Sequence, residues 1–312
     1  MNNPYLKNFR IKVFDIETGG LSPQKSGIIS ASFIDPDTME LQQLFCEHPS
    51  QEGRMVRDIL DILSECDAVV TYNGDSFDFL FLQSRAKQLG AGTSLPDFWS
   101  VDLYKWLKKY WSAAKLMEHH RQKDIELALG LSDDRTDKID GGECIPLYAQ
   151  YLAFGDEEAR EKILLHNGDD VRQLAAIYNK TSFLPWHQIA FCEGFSLLTG
   201  SEPIRVRNGS LKGNSAAYKA KLAPGKLPAS IYTDQYHLEY NSFTGEALLE
   251  LRGEKKGDYI FLDLKALGIE DEALAGIRKL PGCQEDFLVF SKGADINYME
   301  LNALASMFFR RL

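Results

Sequence analysis

At 312 residues and 44% hydrophobic, the chain has enough apolar material to bury a core and to divide into one larger and one smaller domain. A formal net charge of −10 excludes a protein that coats nucleic acid by bulk attraction, since phosphate binding is driven by positive surface, but leaves room for local basic patches. Cys46, Cys66, Cys144, Cys192 and Cys283 are scattered without a C-x-x-C pair, which fits reduced thiols in a cytoplasm better than a disulfide framework or a zinc site. With no apolar run of membrane-spanning length and no basic-then-apolar amino terminus, the expectation is a cytoplasmic protein that makes no use of a membrane.

The first ordered stretch runs from Ile11 to Leu21. At a period of two, Ile11, Val13, Asp15 and Glu17 share one face of a strand, so two carboxylates stand together where a core face emerges into a loop. Such charges repel unless a cation lies between them, and a hard divalent ion with oxygen ligands supplies the missing charge. A solvated acidic pair at a strand end is the plainer reading of the same residues. Gly27 to Ile34 and Leu41 to Phe45 read as two further strands around the turn at Asp35, Pro36 and Asp37, which makes an antiparallel meander.

Ser50 to Cys66 has helical spacing at Met55, Ile59, Ile62 and Leu63, and Ala68 to Tyr72 is a short apolar strand beyond it. A helical crossover allows that strand to lie parallel to the first. It leads into Asn73, Phe77 and Asp78, with apolar residues continuing at helical spacing to Leu89. Asp78 therefore sits in a first helical turn at the rim where open sheets place ligands, with Asp75 as its competitor. Complementing a helix dipole is the alternative role for an acid there.

Further helices are expected over Val101 to Tyr110, Asp124 to Leu129, Cys144 to Phe154 and Glu157 to Asn179, with Gly141 and Gly142 breaking the chain before the third. In the last helix Leu164, Val171, Leu174 and Tyr178 form an apolar stripe. His166 and Asp170, four apart, project together beside it, with Asn167 on nearly the same side; read alone they make a minor helix ion pair.

The boundary falls at Asn179 to Pro185, giving domains of about 1–182 and 183–312. Trp186 to Leu198 reads as a linking helix, His237 to Leu251 as strand, turn and strand, and Tyr259 to Leu264 and Phe287 to Phe290 as strands. A helix from Tyr298 to Phe309 opens with Asn297 and Glu300 as a capping pair. Two basic stretches stand out. One carries Lys105, Lys108, Lys109, Lys115, Arg121 and Lys123 among Tyr104, Trp106, Tyr110 and Trp111; the other, Pro203 to Thr233, holds Arg205, Arg207, Lys212, Lys219, Lys221 and Lys226 and no acid. Each reads either as solvated surface or as a nucleic-acid contact.

Asp15, Glu17, Asp78 and Asp170, in this order and context, resemble the four metal ligands of the DEDD superfamily of 3′-to-5′ exonucleases, over about residues 9 to 180. Asp15 to Thr18 matches that family's first motif, Tyr72, Asn73, Phe77 and Asp78 the second, and His166 to Val171 the third. Gly142 to Tyr148 with Pro146, and Lys123 to Gly130 before it, look most like the bacterial YprB-type branch. One departure stands out: the family carries a Tyr four before the last Asp or a His five before it, and this chain has His166 at the Tyr position and Leu165 at the other.

The resemblance implies an α/β, ribonuclease H-like mixed five-stranded sheet flanked by helices, followed here by a smaller C-terminal α+β domain. It implies a metal-dependent 3′-to-5′ exonuclease acting on single-stranded DNA or RNA ends by a two-metal mechanism, with two divalent cations, Mg2+ or Mn2+, as cofactors. Asp15, Glu17, Asp78 and Asp170 become the metal ligands, His166 the residue that orients or deprotonates water, and Thr18, Leu21, Asn73 and Phe77 the substrate contacts. A non-catalytic nucleic-acid or protein-binding module and an internal-cutting nuclease of the same fold are the alternatives, and a protein partner of the C-terminal domain belongs with the first.

Overall fold

The structure, a computed structural model, describes residues 3–131, 139, 141–199, 202–225 and 227–312. Lys226 of the second basic stretch lies outside the described residues. The chain forms two compact units, Met1–Leu184 and Pro185–Leu312. No helix among the described residues is long and apolar enough to cross a membrane.

In the first unit β1 (Ile11–Thr18), β2 (Ile28–Ile34) and β3 (Leu41–Phe45) form the antiparallel meander. Helix α1 (Glu52–Ser64) crosses to β4 (Ala68–Thr71), which runs parallel to β1, and α2 (Asp78–Gln88) leads on to β5 (Trp99–Asp102), parallel to β4. The sheet order β3-β2-β1-β4-β5 makes β1 the central strand of the mixed five-stranded, ribonuclease H-like sheet. Helices α3 (Leu103–Tyr110), α4 (Gln122–Ala128), α5 (Cys144–Phe154) and α6 (Glu157–Asn179) complete the unit.

Alternation along β1 divides the core. Phe14 and Ile16 pack with Met55, Val56, Ile59 and Leu63 of α1 and with Phe79 and Leu82 of α2. The opposite face meets α5 and α6, where Ile29 packs against Cys144 and Ile163. The register of β1 against β2 shifts between Glu17 and Thr18, pairing Glu17 with Ser30 and Thr18 with Ile28. Alternation along β2 puts Ile28 and Ile29 in different clusters, and a bulge such as that at Glu17 and Thr18 re-aims side chains at a strand end. Gly155, at φ +65°, ends α5 in the left-handed region, and Asp156 accepts from the backbone N–H groups of Glu158 and Ala159 to start α6.

Several expectations need correction. Trp99 to Asp102 is a strand, and the helix read from Val101 begins only at Leu103, because pairing with β4 supplies the backbone partners. In α6 it is Ile163 that enters the apolar cluster, while Leu164 is only half-buried. The linking helix ends at Glu193, where Gly194 at φ +94° breaks it.

The second unit is α+β and rich in antiparallel strands. After α7 (Trp186–Glu193) come β6 (Phe195–Leu197), β7 (Ile204–Val206), β8 (Ser210–Lys212), β9 (Ser215–Lys221), β10 (Ala229–Tyr232), β11 (Tyr236–Tyr240) and β12 (Glu246–Arg252), which share one sheet. A second sheet holds β13 (Glu254–Lys256), β14 (Tyr259–Asp263), β15 (Cys283–Gln284), β16 (Phe287–Lys292) and β17 (Asp295–Ile296); α8 (Asp271–Leu274) and α9 (Tyr298–Arg311) complete the fold. Buried Asn302 of α9 accepts from the Tyr218 hydroxyl and donates to the His187 carbonyl, joining β9, α9 and α7. The basic stretch from Pro203 is therefore largely strand. The expected capping pair does not form: Asn297 donates to the Val289 carbonyl and Glu300 accepts from Gly282 N–H.

Candidate active site

The site lies at the carboxyl end of β1. Strand alternation and the bulge turn Asp15 and Glu17 toward α6, from which Asp170 approaches, and ligand oxygens of Asp15, Glu17 and Asp170 lie within 4.8 Å of one another. His166, one turn before Asp170, is buried, with Nε2 3.4 Å from Glu17 Oε1 and 3.5 Å from Asp170 Oδ2. It is therefore not the exposed helix ion pair that spacing alone allows. Asp169 does not share the cluster; its Oδ1 accepts from Arg172 Nη1 at 3.2 Å. Leu165 is exposed.

Asp78 reaches β1 from another direction. Parallel pairing of β1 with β4 ends at Val13 and Val70, and farther along β1 the Ile16 N–H donates to Asp78 Oδ1 at 3.2 Å. This contact anchors the buried Asp78 carboxylate on the backbone between Asp15 and Glu17, while the tight oxygen cluster is formed by Asp15, Glu17 and Asp170. The loop delivering it is held by Asp102 at the end of β5, which accepts from the backbone N–H groups of Asn73 at 2.9 Å and Asp75 at 3.3 Å. Asn73 sits in the left-handed region at φ +67°. Asp75, the competitor of Asp78, is bonded to the Ser100 hydroxyl and the Lys105 ammonium.

Burial sets the electrostatics. Loss of solvent, reinforced by Asp78, Asp170 and Glu17, pushes the Asp15 carboxyl well above the usual carboxylate range against the opposing Asn167 bond. Burial pushes Glu17 up to about 7, with His166 acting in the other direction. Burial likewise raises Asp78 to about 7, opposed by backbone N–H donors including Ile16. Asp15, Glu17 and Asp170 converge with only oxygen donors among them, a set that fits a hard divalent cation.

Three residues escaped the sequence reading as parts of the site. Asn167 donates from Nδ2 to Asp15 Oδ2 at 2.7 Å, and its Oδ1 accepts from the hydroxyls of Ser30 and Ser32. Gln122 donates to the Asp170 carbonyl and to Glu126. Cys144 lies with Glu17 and His166, donor atoms within 4.8 Å of one another and all three residues buried. The neighbouring position of Asn167 and Asp170 on α6 was a usable signal for the first; nothing in the spacing signals the other two.

The expected substrate contacts are spread around this rim. Thr18 bonds the Gly20 carbonyl, and Leu21 is 87% exposed just beyond β1. Phe77 is half-buried against Phe81 at a ring separation of 5.6 Å, which makes it part of the core edge as well as of the loop. In the first basic stretch Lys105 pairs with Asp75, while Lys108 and Lys109 lie over the rings of Tyr104 and Tyr110.

A DNA polymerase of Methanocaldococcus jannaschii is 33% identical over 100 residues, 30% of this chain, and a DNA polymerase of Pyrococcus glycovorans is 35% identical over 95 residues, 27% of the chain. The chain spans only 6% and 12% of those polymerases' own lengths. Among solved structures, the family B DNA polymerase from the hyperthermophilic archaeon Pyrobaculum calidifontis aligns over 55% of this chain and 24% of that one, at 20% identity and a TM-score of 0.45. Brucella melitensis NrnC with bound Mg2+ aligns over 58% of this chain and 86% of its own, at 17% identity and a TM-score of 0.29. The family profile described as RNase_H superfamily matches residues 13–182, more than half of the chain. The chain belongs to the RNase_H superfamily.

Proposed function

We propose that this protein is a metal-dependent 3′-to-5′ exonuclease of the DEDD type that hydrolyses phosphodiester bonds at single-stranded ends. The observation that carries the reading is the convergence of Asp15, Glu17 and Asp170 within 4.8 Å, with His166 Nε2 3.5 Å from Asp170 and 3.4 Å from Glu17. Superfamily membership raises the prior for nucleic-acid hydrolysis without choosing polarity or substrate.

Two divalent cations, Mg2+ or Mn2+, supply Lewis-acid stabilisation of the attacking and leaving oxygens in an in-line displacement at phosphorus when bound. Asp15, Glu17 and Asp170 would hold them, and Asp78, anchored on Ile16 N–H, would support them. His166 takes a proton from the attacking water at Nε2, the role of the Tyr it replaces, and its place beside Glu17 and Asp170 supports that assignment. Asn167 keeps the Asp15 carboxylate oriented. Thr18 and Leu21 contact the terminal nucleotide, Asn73 the adjacent backbone, and Phe77 the edge of the same loop.

The second unit holds the strand. An open groove of about 780 Å³ there brings Arg207 and Lys219 together with a 94% exposed Phe243, a basic and aromatic set suited to a flexible single strand. Glu239 and Glu246 also line it and moderate its charge. Charge reversal at Arg207 and Lys219 should weaken binding of single strands and flatten its salt dependence by roughly 0.7 for each phosphate no longer neutralised. Unchanged salt dependence would remove this role.

The test of the whole reading uses end-labelled single-stranded DNA and RNA with Mg2+ or Mn2+ against chelator, and the double substitution Asp15→Ala, Glu17→Ala as control. A metal-dependent ladder shortening from the 3′ end, absent in the control, is the expected result. Binding without cleavage of either polymer would leave a non-catalytic module. Cleavage of circular single strands would make it an internal-cutting enzyme instead.

A further inference from the structure

The fold assembles a second donor set against the carboxylate cluster. Cys144, the first residue of α5, is fully buried and packs against Ile29 and Ile163, which fixes where its sulfur lies. Its Sγ, a Glu17 carboxylate oxygen and a His166 ring nitrogen lie within 4.8 Å of one another. The turn before α5 closes one side: a Cβ on Gly141 would stand 3.6 Å from Glu17 Oε2 and 3.8 Å from His166 Nε2. The pocket is thus walled by backbone and lined by sulfur, nitrogen and oxygen.

These donors differ in kind from the neighbouring set. Asp15, Glu17 and Asp170 offer oxygen alone, the preference of magnesium, whereas thiolate, imidazole and carboxylate together select a borderline-soft cation. Zinc bonds of about 2.0–2.3 Å in a tetrahedron put donors roughly 3.3–3.8 Å apart. The Glu17 to His166 separation, 3.4 Å, already meets that spacing, and the other pairs, all within 4.8 Å, need to close by no more than about 1.5 Å. Three protein ligands with one open position is a common zinc arrangement.

We propose that Glu17, Cys144 and His166 form a zinc site that shares Glu17 with the carboxylate cluster. Ligation releases the Cys144 thiol proton to water and leaves the sulfur as thiolate. An ion held there removes Glu17 from the hard-cation set and occupies His166 Nε2, the proposed proton acceptor. Zinc occupancy therefore arrests the nuclease. This last consequence rests on the exonuclease reading; the binding site itself does not.

The experiment uses metal-free full-length protein titrated with Co2+ as the optical probe, then with Zn2+ in excess Mg2+, with bound metal counted after desalting. One equivalent of Co2+ should produce a near-ultraviolet sulfur-to-cobalt absorption with tetrahedral visible bands, which Zn2+ bleaches and Mg2+ does not. Cys144→Ser should abolish the sulfur band and weaken zinc binding roughly tenfold or more, while His166→Gln should alter the visible bands. No sulfur band in the unaltered protein overturns the proposal without recourse to any variant. A band that persists in Cys144→Ser belongs to another cysteine and overturns it equally. Magnesium-dependent cleavage without a sulfur band refutes the zinc site and leaves the nuclease intact; a Cys144-dependent band without cleavage under any metal upholds the site and refutes the nuclease.

Discussion

The Asn167 side-chain amide donates to Asp15 Oδ2 at 2.7 Å while its oxygen accepts from Ser32 at 2.6 Å and Ser30 at 3.1 Å. One residue of α6 thus orients a proposed metal ligand on β1 and is itself fixed by β2. Gln43 of β3 extends the chain by donating to Ser32 and to the Leu164 carbonyl. A carboxylate held this way needs little reorganisation to receive a cation.

Replacing Asn167 by Ala should therefore lower apparent Mg2+ affinity, or activity, by about 10–100-fold. Stability should fall by about 1–3 kcal/mol, since the buried serine hydroxyls lose their acceptor. Metal titration of cleavage and urea denaturation read the two effects. Unchanged metal dependence would show that Asn167 serves packing alone.

The carboxylates couple stability to pH. Glu17 and Asp78 reach about 7 in the folded protein against ordinary values of 4.5 and 3.8, so the fold retains protons that the unfolded chain releases. In chelator, stability should fall as pH rises through that interval, with the penalty complete above about pH 7. Mg2+ should accordingly raise the melting temperature more at about pH 8 than at about pH 5. Calorimetry across this range decides it; stability that climbs with pH in chelator contradicts the assignment.

Removal of the His166 imidazole, as in His166→Ala, should lower kcat by about 10²–10⁴-fold with a much smaller change in substrate affinity. A kcat unchanged by the substitution would place the proton acceptor elsewhere.

At the start of β2, the buried Glu52 carboxylate accepts from Ile28 N–H at 3.0 Å and from two nitrogens of Arg85. Arg85→Ala should destabilise the first unit by about 3–5 kcal/mol, because it strands a buried charge. The double change Arg85→Met, Glu52→Gln should cost less than Arg85→Ala alone. Chemical denaturation of the three proteins tests this ordering.

Asp102 ties β5 to the loop carrying Asn73 and Asp75, and it also accepts from Lys105 N–H to cap α3. Asp102→Ala should cost about 1–2 kcal/mol and loosen the approach of Asp78 to Ile16. Asp102→Asn keeps an acceptor oxygen and should be milder. Parallel melts and cleavage rates separate the two.

Local order was readable because it follows local rules. The alternation of β1 puts Asp15 and Glu17 on one face, and helical spacing gives the extent of α5 and α6. Where a residue's partner is remote, the same rules fail. Trp99 to Asp102 and Phe195 to Leu197 continue or precede helical patterns, yet pairing with β4 and β7 makes them strands. Asn297 and Glu300 have the composition of a cap, but Val289 and Gly282 offer them other bonds.

By itself the sequence singled out the residues proposed to carry the chemistry: Asp15, Glu17, Asp78 and Asp170, in an order and local context that resemble one nuclease superfamily. Only the tertiary structure decided that Asn167 holds Asp15, that Ile16 N–H anchors Asp78, and that Cys144 stands beside Glu17 and His166. The reason is range. Side-chain periodicity is a property of neighbouring backbone dihedrals, whereas these contacts exist only after α2, α5 and α6 have packed on the sheet that β1 centres.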